Sequence, residues 1–315
     1  MAPRDRIREI IEIRKRSVRH VPSLTKFDMD HLSDVWGQQL KGVEIADELV
    51  PIRVVTLLEV FVRGWIEKLV NQGAPYVERA AKLNIGLKFD FAIASSLHGG
   101  VVTLGQLIAH SVSVSRLESI VDVLETLLDE NLFSSISTVH DRWAVEIEGK
   151  PDLPIVADIE QLKRNLFRLF EVRHILVHEM PRKKPHTADE VDGFLRSATL
   201  FVQALDEMLS TRLHGKYPLN QSEMNRDAAA RSAAATEELA ELCEKIAREY
   251  DSTTIHDVQK VWAIFCDAEA DRQSQVAFGG SMQPMIYSSA AESLTRDEAL
   301  VSASRVPRRP CGPMN

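Results

Sequence analysis

The chain has 315 residues, 44% of them hydrophobic and 27% charged, an ordinary globular composition with length for about two domains. Its formal net charge of −8 at pH 7 excludes a whole-surface electrostatic grip on nucleic acid and leaves only local basic patches for that role. No apolar run reaches the roughly 18 residues that span a bilayer, and the charged, periodic start lacks the features of a signal peptide, so a cytoplasmic location with no membrane partner is expected.

Residues 4–20 alternate basic and apolar positions at helical spacing, with Ile7, Ile10, Ile11 and Val18 as the apolar members. Residues 1–26 hold eight Lys/Arg against three Asp/Glu, so an N-terminal arm over 1–40 is either a solvated charged face or a contact for RNA or a partner. Ser23 and Asp28 offer caps for a short helix through Trp36 and Leu40. A strongly hydrophobic helix then begins near Pro51, whose missing N–H suits an early helical position. It runs to Val70 with apolar residues on more than one face, which marks a central bundle helix. Glu59 and Arg63, four apart on it, form either a surface ion pair or part of an active face. Asn71 to Pro75 breaks the helix.

Short helices are predicted over 76–84 and 89–97, followed by a Gly99-Gly100 turn and an amphipathic helix capped by Thr103. A striped helix follows over 115–130. Residues 131–154, with Trp143 and two prolines, read as an extended connection with room for a short strand near 143–147. The next helix, 155–179, stops before Pro181. Thr187-Ala-Asp-Glu190 fits a capping box and opens a helix whose stripe, from Val191 to Leu209, suits it to pack on its predecessor. An all-α fold follows: a helical bundle over 41–214, then a small C-terminal helical domain over 215–304. The linker is His214 to Pro218. Helices are expected over 220–250, 256–278 and 284–299, and the proline-containing stretch 305–315 is expected to be a disordered tail.

The 155–179 helix carries the residues with chemical potential. At about 100° per residue, Arg173, His174 and His178 fall within an arc of roughly 140°, where packing alone would place leucine. Leu162, Leu166, Phe167, Leu169 and Phe170 lead into them at spacings of three and four, as a core-facing helix would. Residues 163–184 hold seven Lys/Arg against two Asp/Glu. Imidazoles exchange protons near neutrality and an arginine fork holds a phosphate. Glu171, about 20° from His178 on the wheel, is placed to orient an imidazole. Alternatively, Arg and His at a helix end serve its terminal carbonyls and dipole. Cys243, Cys266 and Cys311 have no metal-ligand spacing and read as free thiols. With no Gly-rich phosphate loop, zinc pattern or nucleophile elbow, neither a metal nor a cofactor is expected.

Arg173, the polar His174 and His178 form an R-x4-H motif near the end of a hydrophobic helix, with Glu59 on an upstream helix and an amphipathic helix following. In this the chain, over roughly 45–210, resembles the HEPN superfamily. That resemblance implies a helical bundle and a metal-independent endoribonuclease, commonly a homodimer whose two motif helices build one cleft. It assigns Arg173, His174 and His178 as the catalytic group, to which the wheel position adds Glu171, and RNA as substrate.

The second half resembles the lysozyme-inhibitor LprI-like N-terminal domain family. The matching residues are Gln259-Lys-Val-Trp262, Phe265-Cys-Asp-Ala-Glu269, Gly279-Gly-Ser-Met282, Ile286-Tyr287 and Leu294-Thr-Arg296, and the resemblance covers about 220–304. Secreted members carry cysteines near the positions of Ala270 and Ala290, so the family's disulfide is absent here and a cytoplasmic derivative used for recognition or regulation is implied. Two functions are therefore expected. One is a ribonuclease acting in antiviral defence or as a toxin, with a C-terminal sensing domain and a protein partner or antitoxin. The other is a non-catalytic dimerisation or binding protein of the lysozyme-inhibitor-like type.

Overall fold

The computed structural model describes residues 5–16, 22–83, 85–86, 90–179, 181–250 and 254–304. The fold is all-α, as its sequence periodicity implies. Among the described residues no strand occurs, and the β-type pairing is an isolated bridge between His140 and Pro154. The chain divides into two compact units, Met1–Gly215 and Lys216–Asn315.

In the first unit, α1 spans Arg6–Arg16, and α2, Pro22–Val35, runs into a π-turn at Trp36–Leu40. Of the residues expected as an arm, α1 lies against the helix Leu104–Ser111, and α2 packs on the helices Glu44–Asn71 and Ala188–His214. Ile10 is buried with Ile93, Val102 and Leu107, while Met29 and Trp36 belong to the main core. Trp36 also donates through Nε1 to Asp192 at 2.7 Å. Of the apolar members of the periodic pattern, Ile10 is buried and Ile7 packs partly buried against the same cluster, while Val18 lies outside the described residues. Asp28 lies inside α2 rather than at its start; residues 17–21 and the side chain of Ser23 lie outside the described set.

The axis of the unit is α3, Glu44–Asn71, with buried residues around most of its circumference from Val54 to Val70. It packs against α2, α6, α10 and α11. It begins before Pro51, contrary to expectation. An interior proline leaves the carbonyl four residues back without its helical donor, and here that carbonyl is Asp47 O. The Nε2 of His186 lies 2.7 Å from it; since a carbonyl can only accept, Nε2 carries the proton and donates. Lys184 Nζ holds the Asp47 carboxylate at 2.8 Å, and His186 is itself buried. A loop more than a hundred residues away thus satisfies the group that proline disrupts.

Short helices α4 (Tyr76–Ala80) and α5 (Phe91–His98) precede α6 (Leu104–Ser111), which the expected Thr103 caps in a full capping box with Gln106. A Cβ at Gly105 would run into Glu67 O and lie 2.7 Å from Asn71 Oδ1, so glycine is what lets α6 approach α3. Next comes α7, Leu117–Leu128. The expected extended connection is instead two helical turns, α8 (Leu132–Ile136) and α9 (Arg142–Glu146), each started by a side-chain cap, Asn131 and Asp141. These local caps outweigh the β-tendency of the Trp143 stretch. Helices α10 (Ile159–His178) and α11 (Ala188–His214) pack together. Asn165 Nδ2 clamps them by donating to Ser197 Oγ at 2.9 Å and to Gly193 O at 3.3 Å.

The second unit consists of α12 (Gln221–Tyr250), α13 (Thr254–Ser274), a 3₁₀ turn at Gln275–Ala277 and α14 (Gln283–Ser304). Its buried set is dominated by small side chains, with Ala228, Ala235, Cys243, Cys266, Ala270 and Ala290 around Leu239. Cys243 and Cys266 are free, as expected. The stretch 305–315, expected as a tail, lies outside the described residues. Among the described residues no helix is long and apolar enough to cross a membrane.

Candidate functional site

Asp158 starts α10 by accepting from the Gln161 backbone N–H at 2.9 Å. Leu162, Leu166, Leu169, Phe170 and Val172 form its buried stripe. Phe167, expected in that stripe, is 44% exposed. Beyond Val172 no residue of α10 is fully buried, and the helix ends with His174 and His178 in solvent.

Arg173 points elsewhere. Its position on the wheel lies among the core-facing leucines, and its Nη2 meets Glu59 Oε1 on α3 at 3.8 Å, with both side chains 23% exposed. Arg63, one turn along α3, donates to the Ala109 carbonyl and adds a second positive charge near Glu59. Burial nevertheless raises the Glu59 carboxyl above its ordinary value, outweighing the lowering by Arg173 and Arg63. Glu59 thus links the motif helix to the central helix as a half-buried ionic joint.

The imidazoles of His174 and His178 lie side by side, with ring centroids 4.9 Å apart and planes tilted by 48°. Among the described residues neither donates to a terminal carbonyl of α10, so capping is not what occupies them. Glu171 shares their exposed stripe but is engaged by Arg168 Nη1 at 2.8 Å. Arg168 also meets Glu190 at 3.1 Å and donates to the Pro185 carbonyl, tying α10 to the start of α11. The sequence-identified residues therefore separate into an exposed pair, His174 and His178; a half-buried Arg173 held by Glu59; and a Glu171 committed to Arg168.

Beside this stripe lies an open groove of about 760 Å³ that takes in His174, Glu171 and the exposed ring of Phe167, but not Arg173 or His178. Its cations are Arg116, Lys163, Arg164 and Arg168. Lys163 is paired with Glu160 at 2.7 Å and Arg168 with Glu171, while Arg164 donates to Gln161 at 2.8 Å. Of these, only Arg116 comes from outside the basic run 163–184; it sits just before α7 and had no sequence signal of its own. Among the described residues no group of three or more His, Cys, Asp or Glu side chains is arranged to hold a metal ion.

Residues 216–300 match the family described as lysozyme inhibitor LprI, so the C-terminal unit is similar to that family over most of its length. No curated protein and no solved structure matches the chain.

Proposed function

We propose that the chain is a metal-independent endoribonuclease of HEPN type whose reacting groups are on α10, with the LprI-like unit as a sensing or regulatory module. The observation that carries this reading is the exposed His174–His178 pair; Arg173 precedes it in sequence but faces Glu59, and must turn from that contact to reach a phosphate at the imidazoles. A bundle needs no pair of adjacent solvent-facing imidazoles for stability, whereas phosphodiester cleavage needs a base, an acid and a cation within one site. The 2′-hydroxyl attacks the adjacent phosphorus and gives its proton to His178. The P–O5′ bond breaks, and the departing 5′ oxygen takes a proton from an imidazole in its acid form, for which His174 is the neighbour. Once turned, Arg173 stabilises the crowded phosphate oxygens; Glu59 is its resting partner. Glu171 acts on the site through Arg168. The products carry a 2′,3′-cyclic phosphate and a 5′-hydroxyl, and no cofactor is required.

The exposed stripe of α10, with Phe167 at 44% and Val177 at 42% exposure, supports a homodimer that joins two such helices. The proposed setting is cytoplasmic, as a defence or toxin effector with a protein partner or antitoxin. Growth on induction tests this directly: the wild-type chain is expected to arrest it, and Arg173→Ala and His178→Ala, expressed at equal level, are expected to be harmless. Equal arrest by all three would remove the motif from the function.

A second reading, a non-catalytic binding protein, is favoured by the LprI match together with the exposed apolar residues Val258, Val261, Ile264 and Phe265 on α13. It calls for no dependence of growth on His178.

A further inference from the structure

The cation that the proposed cleavage requires is kept away from the imidazoles. Arg173 stands about 100° from His174 and about 140° from His178 around α10, and the groove that takes in His174 does not take it in. Its guanidinium turns to α3 instead, where Nη2 lies 3.8 Å from Glu59 Oε1. At that distance the two are an ion pair without a hydrogen bond. Both side chains keep 23% of their surface exposed, so solvent reaches the pair.

This joint is weak enough to exchange. Burial costs the Glu59 carboxylate more than its two neighbouring arginines return, and a phosphate offers Arg173 two short charge-assisted hydrogen bonds in place of one longer contact. Arg63 stays beside Glu59 when Arg173 leaves, anchored to the Ala109 carbonyl, so the carboxylate is not stranded without a counter-charge. Arg168 on the same helix is the contrast: two carboxylates and the Pro185 carbonyl hold it at hydrogen-bond range.

We propose that the Glu59–Arg173 contact is an autoinhibitory latch: at rest Glu59 keeps the guanidinium from the His174–His178 pair, and a phosphodiester of bound RNA releases it by taking the place of Glu59. The nature of the anion rests on the nuclease reading. Rotation about the side-chain bonds of Arg173 carries the exchange. The apparent affinity for RNA is then reduced by the share of chains in which Arg173 is latched. A positioning role for Glu59 gives the opposite sign, because its loss would disperse Arg173 and slow cleavage.

The test uses the full chain and a fluorescein-labelled 2′-O-methyl RNA oligonucleotide, which lacks the attacking hydroxyl and is not cleaved. Anisotropy is expected to show Glu59→Gln binding it about tenfold more tightly than wild type, and Arg173→Ala binding it more weakly. In the chain carrying both substitutions the gain is expected to vanish, which separates release of the guanidinium from the general loss of a negative charge. With unmodified RNA, Glu59→Gln is expected to lower KM and leave kcat undiminished. Circular dichroism checks folding; Glu59→Asp, whose shorter side chain opens the contact and keeps the charge, is expected to tighten binding too and serves where the Gln chain does not fold. Binding weakened or unchanged by Glu59→Gln, or a gain that survives without Arg173, would overturn the latch. Tightening that depends on Arg173, with no cleavage of unmodified RNA, would support the latch and remove the nuclease reading, and no binding of the probe by any chain would overturn both.

Discussion

Arg173 occupies a core-facing position of α10 because Glu59 meets it at 3.8 Å. An arginine there without a counter-charge would leave a charge uncompensated in a half-buried setting. The helical wheel correctly places Arg173, His174 and His178 within one wide arc, but a wheel does not say which edge of the arc packs. That is decided by α3, which takes the Arg173 edge and leaves the imidazole edge in solvent. Glu59 adds a pH signature. Burial raises its carboxyl, so the folded chain binds that proton more readily than the unfolded one. The contribution to stability is therefore present on the acid side and is lost as pH rises through and just above the ordinary carboxylate range. Urea denaturation of wild type and Glu59→Gln between about pH 4 and pH 7 is expected to show wild type losing stability relative to the variant as pH rises. A difference that is flat or grows with pH would contradict the burial of that carboxyl.

At the scale of elements, the sequence shows most helices through their stripes and caps. Thr187 opens α11 with the capping box its spacing implies, and Thr103 caps α6 as expected. Two features were not legible. The 131–154 connection contains helical turns begun by Asn131 and Asp141, whose caps operate over stretches too short for periodicity to register. Pro51 lies inside α3 because His186, 139 positions from Asp47 in sequence, donates to the carbonyl that the proline strands; no local rule contains that contact. It makes a coupled test. His186→Phe is expected to cost about 1–3 kcal/mol, the usual penalty for an unsatisfied buried polar group. Pro51→Ala restores the intrahelical N–H donor, so in that background the same change is expected to cost clearly less. Equal losses in the two backgrounds, measured by chemical denaturation, would show that His186 does not serve that carbonyl.

For the whole molecule, the chain length indicates about two bodies, and the chain divides after Gly215. The likeness of residues 216–300 to the lysozyme inhibitor LprI family describes the second body alone. The function of the first rests on chemistry read from α10. If the nuclease is a homodimer across that helix, the exposed ring of Phe167 is in its interface. Sedimentation is then expected to give a dimer for wild type and a shift toward monomer for Phe167→Glu, with cleavage falling in parallel. A wild-type monomer at full activity would contradict the composite cleft. What the sequence could not convey is the reach of its motif: Arg173 and His178 are five positions apart, yet the groove beside them takes in His174 and neither of those two.

The central claim is that His178 moves a proton during RNA cleavage. Its most direct measurement is the cleavage of a labelled RNA by the purified full chain in excess EDTA, with the ends analysed chemically. The expected result is cleavage leaving 2′,3′-cyclic phosphate and 5′-hydroxyl ends, reduced about 10²–10⁴-fold in His178→Ala. No cleavage by folded wild-type protein, or an equal rate in the His178→Ala chain, would contradict it.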